Sequence, residues 1–289
     1  TAYNFLREFV GENSWRVLWE PLFIGKFGKH YKKIPAVWFW ARIKKRSASL
    51  GYPQGGFQSL SNSIAKSISR KGGNFIYGTA VKQIEKVSNQ IIITAENGEQ
   101  RAFDKVICTQ SVSFLILVAK GLPISYTKRF ANLKGLGAVN LILALDRKFL
   151  DDNSYWLNIN ERNFPFLSVV EHTNFMDKKL YNNQNLVYVG NYLESQHKYF
   201  KMSEAELLEE YLQALKVINI KFKKNWIKKM WLSKASFAQP IIPLNYSQKV
   251  PPFNTPIDGL YLVNIQQVYP WDRGTNYAVE LGQKIARMI

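Results

Sequence analysis

The residues best suited to chemistry lie near the end of the chain, in the run Tyr269-Pro-Trp-Asp-Arg-Gly-Thr-Asn-Tyr-Ala-Val279. An apolar run, Gly259 to Val263, precedes it and a helical pattern follows it. This order predicts a strand, a loop and the N-terminus of a helix, with Gly274 at the entry and Thr275 or Asn276 as N-cap. Unpaired N–H groups and the positive end of a helix dipole then meet at one point, which favours an anionic group.

A second group of candidates lies in the middle of the chain. Glu171 and His172 end an apolar strand, and a histidine beside a carboxylate can exchange protons near neutral pH. Neighbouring strand residues face opposite ways, so a structural histidine is the favoured interpretation and catalysis the weaker one. Tyr155 and Tyr192 are weaker candidates for binding a flat substrate, because core packing explains such aromatic residues equally well. The three histidines lack the spacing of a metal site.

The elements that must position these residues follow from periodicity. Helical spacing predicts helices within residues 1–49, the second running to about Arg46, and at 57–70, 112–120 and 203–217. Strands are predicted at 74–77, 80–87, 90–94, 105–108, 136–146, 154–159, 166–172, 185–193 and 226–236. The run Glu96-Asn97-Gly98 predicts a tight hairpin turn.

The tail resembles the C-terminal flavin-binding segment of the amine oxidase and protoporphyrinogen oxidase-like superfamily of FAD-dependent oxidoreductases. It is most similar to a bacterial branch that often accompanies surface-polysaccharide synthesis. Three further segments resemble the family in the same order: Tyr52-Pro-Gln-Gly-Gly-Phe57, Gly78-Thr-Ala-Val81 and Phe103-Asp-Lys-Val-Ile-Cys-Thr109. The resemblance implies FAD as the cofactor, bound by Gly55, Gly56, Val81, Thr109, Tyr269, Asp272, Arg273, Gly274, Thr275, Asn276 and Tyr277.

Within this resemblance the loop before the last helix has two interpretations. Arg273 holds the isoalloxazine ring or its phosphates while the backbone at Thr275 and Asn276 contacts the ring. Alternatively, Asp272 and Arg273 pair with each other and only fix the loop. The two interpretations are equally weighted on the sequence.

The sequence departs from the family in one large respect. The family begins with a strand, a Gly-x-Gly-x-x-Gly turn and a helix, and this chain has no such segment. Gly135-Leu-Gly137 lacks the third glycine and leads into an apolar strand, so it is not the fingerprint. We therefore expect a missing N-terminal dinucleotide-binding segment, lost from the gene or carried on another chain. Asn264 and Ile265 also replace the Gly-Asp or Gly-Glu of amine oxidases.

Composition sets the class of protein. The 289 residues are 46% hydrophobic, enough for one or two domains with large cores. A single cysteine, Cys108, excludes a disulfide framework and favours a reducing compartment. The net charge of +18 suits a basic solvated surface, peripheral binding to an anionic membrane, or nucleic-acid binding. Nucleic acid ranks last because no recognised motif accompanies the charge.

These observations predict an α/β (α+β) fold of two interleaved domains. Residues 50–120 and 237–289 form an incomplete FAD-binding domain. Residues 1–49 (helical) and 121–236 (mainly antiparallel sheet with helices) form a substrate domain. We expect a cytoplasmic protein, with peripheral attachment to the inner face of the membrane as an alternative.

The expected function is oxidation of a C–N or C–C bond in a small molecule by hydride transfer to flavin, inactive in this portion alone. Two alternatives stay open. One is a mutase resembling UDP-galactopyranose mutase, acting on a nucleotide sugar. The other is a non-enzymatic basic module that binds membrane or nucleic acid.

Overall fold

The computed structural model describes residues 1–45, 49 and 51–289. The α-helices are α1 (Ala2–Val10), α2 (Glu12–Ser14), α3 (Glu20–Phe27), α4 (Ala36–Lys44), α5 (Gly56–Arg70), α6 (Val112–Val118), α7 (Ile124–Phe130), α8 (Glu204–Ile218) and α9 (Thr275–Met288). The strands are β1 (Val81–Val87), β2 (Gln90–Ala95), β3 (Gln100–Phe103), β4 (Val106–Cys108), β5 (Gly135–Leu145), β6 (Trp156–Asn158), β7 (Ser168–Glu171), β8 (Asn185–Leu193), β9 (Ile227–Pro240) and β10 (Leu260–Leu262).

The chain forms two compact units, each built from two separate stretches of sequence. Residues 1–36 and 134–244 form one, called the sheet unit below. Residues 37–133 and 245–289 form the other, called the tail unit. The assignment of one unit to the cofactor and the other to the substrate stays a prediction.

The sheet unit is built around five antiparallel strands in the order β6-β7-β8-β5-β9. Side chains alternate along β5, so Val139, Leu141 and Leu143 are fully buried and pack toward α8. Their neighbours at even positions face the other side of the sheet. Helix α8 begins at the capping box of Ser203 and Glu206, as the sequence predicts.

The tail unit contains two small sheets. Strands β1, β2 and β3 form an antiparallel meander, and Glu96-Asn97-Gly98 makes the predicted turn between β2 and β3. Strands β4 and β10 form a parallel pair. Helix α9 packs on the end of this pair through Leu281 and Ile285, which contact Val263 and Val268.

Two local predictions need correction, and a third lies outside the described residues. No strand forms at 74–77, where the rings of Phe75 and Tyr77 stack on each other without a partner strand. The N-cap of α9 is Gly274 rather than Thr275 or Asn276, because the chain becomes helical one residue earlier. Helix α4 ends at Lys44, and the predicted end at Arg46 lies outside the described residues. Within the described part of the chain, none of the helices is long and apolar enough to cross a bilayer.

Candidate functional site

The N-terminus of α9 is open. Gly274 caps the helix with its carbonyl, which accepts hydrogen bonds from the N–H groups of Tyr277 and Ala278, both at 3.1 Å. No side chain caps this end, and the N–H groups of Thr275 and Asn276 have no partner among the described residues. Both residues are exposed. Two backbone donors and the positive end of a 14-residue helix are therefore available to a ligand.

Helix α4 holds the loop that leads to this helix. The guanidinium of Arg42 donates a hydrogen bond to the carboxylate of Asp272, whose side chain is only 15% exposed. The indole rings of Trp40 and Trp271 stack with centroids 6.5 Å apart, and the Lys45 ammonium lies 5.0 Å from the Trp271 ring. These contacts give Asp272 a structural partner that lies 230 residues away in the sequence.

Arg273 interacts weakly with its neighbour. Its Nη1 lies 3.8 Å from Asp272 Oδ1, which is too long for a hydrogen bond. The carboxylate of Asp272 also binds Arg42, and both interpretations of the loop stay predictions. The role of Arg273 toward a cofactor stays a prediction.

The carboxyl ends of β4 and β10 lie side by side and are tied together by side chains. The side-chain oxygen Oε1 of Gln266 accepts the N–H of Val112 at 2.8 Å, at the first turn of α6. The Asn264 amide donates to the Gln110 carbonyl oxygen at 2.7 Å. Thr109 follows β4 at this same edge. Asn264 therefore has a structural task at this edge, and no motif in the sequence marks the buried Gln266.

Two glycines begin α5 in a conformation that few other residues adopt. Gly55 has φ of 74° and Gly56 has φ of 83°, both in the left-handed region. A side chain at either position would strain the backbone, so this turn requires glycine at both positions. Val81, which ends the Gly78-Thr-Ala-Val81 segment, begins β1 and pairs with Ala95.

All the predicted cofactor residues lie in the tail unit, as their sequence ranges show. A small cavity lies beside the first turns of α9, lined by Gln267, Val268, Tyr269, Trp271, Tyr277, Glu280, Leu281 and Lys284. Its volume of about 70 Å³ is far below that of the pockets that hold drug-sized ligands. The open helix end, not this cavity, is the feature that suits a large cofactor.

The predicted catalytic and substrate residues lie in the sheet unit instead. The Glu171 carboxylate is fully buried and accepts the N–H of Leu150 at 2.5 Å and that of Phe149 at 3.1 Å. Burial raises the pKa of this carboxyl, and the two backbone donors act against the rise. These bonds give Glu171 a structural task, and a catalytic role for it stays a prediction.

His172 is buried beside two tyrosines. Its Nε2 lies 2.8 Å from the Tyr181 hydroxyl, and its ring meets the Tyr188 ring edge to face at 5.7 Å. Burial lowers the pKa of His172, so the imidazole is neutral near pH 7. Tyr155 packs against Phe175 with ring centroids 5.1 Å apart, and its substrate role also stays a prediction.

The remaining reactive side chains give no further centre. Burial raises the pKa of the Cys108 thiol, which favours the unreactive protonated form. Among residues 1–45, 49 and 51–289, no group of three or more histidine, cysteine, aspartate or glutamate side chains is placed to hold a metal ion.

Comparison with known proteins identifies the family of the chain. The sequence model of the flavin-containing amine oxidoreductases matches residues 5–265, which end before the loop and helix α9. No curated protein matches the sequence. Three solved structures show the same fold: a candidate protoporphyrinogen oxidase from Exiguobacterium sp. 255-15, an oxidoreductase from Methanosarcina mazei and a reduced UDP-galactopyranose mutase.

The similarity to these structures is one of fold alone, because the identities are 13%, 20% and 14%. The TM-scores are 0.75, 0.68 and 0.67, over 99%, 91% and 86% of this chain. The chain spans less than two thirds of each structure, at 65%, 62% and 57% of their lengths. The predicted fold class is confirmed, and a flavin-containing family confirms the prediction of FAD. The chain thus belongs to the flavin-containing amine oxidoreductase family.

Proposed function

We propose that this protein supplies the C-terminal part of an FAD-dependent oxidoreductase that oxidises a C–N or C–C bond of a small organic molecule. When bound, the flavin would accept the hydride that leaves the substrate carbon. The observation that carries the proposal is the open N-terminus of α9, at the end of a loop braced by Arg42. Family membership supports the flavin, and the reaction itself is our inference.

The residues at the start of α9 suit the charge of a reduced flavin. The N–H groups of Thr275 and Asn276 can donate to an oxygen on which negative charge develops, and the helix dipole stabilises that charge. Arg273, with a side chain 23% exposed, adds positive charge beside them. Gly274 leaves the approach clear, because a Cβ atom there would lie 2.6 Å from Asn276 Oδ1.

Replacing Gly274 with valine is expected to lower FAD affinity at least about tenfold in the full-length product of the gene. The branched side chain would occupy the approach to the helix and displace the Asn276 amide. Flavin retained after gel filtration is measured from its visible absorbance, followed by titration of the apoprotein with FAD.

Gly282→Ala is the matched control, in the middle of the same helix. A Cβ atom at Gly282 meets nothing within 4 Å, so this variant should keep its flavin and gain about 0.5–1 kcal/mol of stability. A Gly274→Val protein that stays yellow and titrates like the wild type would disprove the role given to α9.

An apolar face of the tail unit has no cover among the described residues. Helix α5 has no buried residue, and Phe57, Leu60, Ile64 and Ile68 are 38–49% exposed along one stripe. The parallel sheet of this unit is also small, since β4 and β10 are its two described strands. Parallel sheets normally have helices on both faces. We propose that a βαβ dinucleotide-binding segment, on the same polypeptide or another, covers the α5 stripe.

The proposed cover predicts a specific loss of binding. A purified βαβ segment encoded beside this gene should bind the chain and slow amide hydrogen exchange in α5. Leu60→Asp with Ile64→Asp should abolish that binding, because two carboxylates would be buried without partners. Gln58→Glu with Asn62→Asp adds the same charge on the far side of α5 and should leave binding unchanged. Equal binding by both double variants would rule out the stripe as the docking surface.

A further inference from the structure

The face of the sheet unit that points away from α8 carries a short slot. Tyr188, Gly190 and Tyr192 lie at alternate positions of β8 and therefore share this face. Asn140 of β5 and Ser168 of β7 are the direct cross-strand neighbours of Gly190. The glycine is thus the floor, with a tyrosine at each end and a polar side chain at each side.

The distances show that the floor is open. A Cβ atom at Gly190 would lie 3.3 Å from Asn140 Oδ1 and 3.9 Å from Ser168 Oγ, with no other atom within 4 Å. Neither tyrosine ring therefore lies across the glycine. The two tyrosines are four residues apart on a strand, about 13 Å along the sheet, so a planar ring system fits between them.

Two polar side chains flank the floor of the slot. Ser168 is 6% exposed and Asn140 is half-buried. Among the described residues, neither side chain is one of the fully buried groups that lack a hydrogen-bond partner, so solvent reaches both and a ligand can take its place. A donor and an acceptor therefore face the slot ready for a ligand.

The charges around the slot select against cations. None of its five lining residues is acidic, and the Lys26 ammonium lies 5.8 Å from the centre of the Tyr192 ring. Two carboxylates lie close in sequence to the residues that line the slot, and both have other partners. Glu171 points to the opposite face of the sheet and accepts hydrogen bonds from backbone N–H groups. Glu194 pairs with the Lys29 ammonium at 3.0 Å.

We infer that this slot binds a planar, neutral or anionic ligand with a hydrogen-bonding edge, and that it disfavours diamines. That the ligand is the substrate of the flavin reaction rests on the function proposed above. In that case the enzyme oxidises a flat conjugated molecule rather than an aliphatic amine.

Two probes with the same ring system and opposite charge test the inference. By isothermal titration calorimetry, 2-naphthoate should bind at least about tenfold more tightly than 2-naphthylmethylamine. Gly190→Val fills the slot and should weaken naphthoate binding at least about tenfold. Asn140→Ala combined with Ser168→Ala should weaken it through loss of the polar pair. Ser233→Ala, one strand further along the same row, is the matched control and should bind like the wild type.

Thermal unfolding shows whether each variant is folded, and Gly190→Ala replaces the valine variant if that one is not. Equal binding of the two probes, no naphthoate binding by the wild type, or wild-type binding by a folded Gly190 variant would overturn the inference. The measurement needs no flavin. A protein that binds naphthoate in the slot but never retains FAD would contradict the proposed function alone, and the reverse result would contradict the slot alone.

Discussion

Replacing Glu171 with alanine is expected to lower the free energy of unfolding by about 3–5 kcal/mol. The carboxylate is the acceptor for the backbone N–H groups of Phe149 and Leu150, and all of its surface is buried. Alanine would leave both donors unpaired inside the protein and would add a cavity. The strand carrying Glu171 and the loop that follows β5 would then lose their main polar connection.

Urea unfolding followed by circular dichroism measures this effect. Glu161→Ala is the control, because Glu161 is exposed and its carboxylate accepts a single long hydrogen bond, at 3.5 Å, from the described residues. The control should change stability by no more than about 0.5 kcal/mol. A Glu171→Ala protein as stable as the control would show that the carboxylate is not needed for the fold and would restore catalysis as its main interpretation.

The glutamine variant at position 171 adds a pH test of the same contact. Burial raises the pKa of Glu171 in the folded state above its unfolded value. The folded protein therefore binds this proton more tightly, and its contribution to stability is complete below the unfolded pKa. That contribution is lost as the pH rises through the folded pKa. Glutamine does not titrate at this position. The wild type should therefore lose stability relative to Glu171→Gln as the pH rises from acid to neutral.

The elements of the fold were largely predictable because their signals are local. The capping box at Ser203, the turn at Glu96-Asn97-Gly98 and the alternation along β5 each depend on a few consecutive residues. The strand predicted at 74–77 failed for the complementary reason. Its residues have the right types, but a strand also needs a second strand to pair with. None of the described strands pairs with these residues.

The contacts that organise the candidate site could not be predicted, because they join distant segments. Arg42 looks like one cation in a basic run until the fold places it against Asp272. Gln266 likewise resembles any loop glutamine, yet it caps α6 from 154 residues away. The slot at Gly190 depends on the register of three strands, which fixes its neighbours only once the sheet has formed.

The glycines of Gly135-Leu-Gly137 show how a decoy motif acquires a structural meaning. The sequence ruled them out as a phosphate-binding turn, and the structure shows that they make room for neighbouring groups. The Phe237 ring lies directly over Gly135. A Cβ atom at Gly137 would lie 2.5 Å from the Phe200 ring and 2.6 Å from the carbonyl oxygen of Ala235.

Gly137→Ala is therefore expected to destabilise the protein by about 2–4 kcal/mol. The ring of Phe200 can rotate, but the Ala235 carbonyl belongs to the backbone of β9, beside the register shift between Leu136 and Ala138. Relief of the clash requires β9 to move away from β5, which breaks ladder hydrogen bonds as well as packing. The midpoint of thermal unfolding is the measurement.

The control for crowding at Gly137 is Gly25→Ala in α3, within the same unit. Its Cβ atom would meet Leu167 at 3.4 Å, an ordinary contact, and alanine favours the helix by about 0.5–1 kcal/mol. The two variants add the same methyl group and should move the midpoint in opposite directions. Alanine restricts the unfolded chain equally at both sites, so the crowding around Gly137 is the main reason to expect the opposite sign. Matching midpoints would mean that β9 yields easily at its bulge and that glycine is not required there.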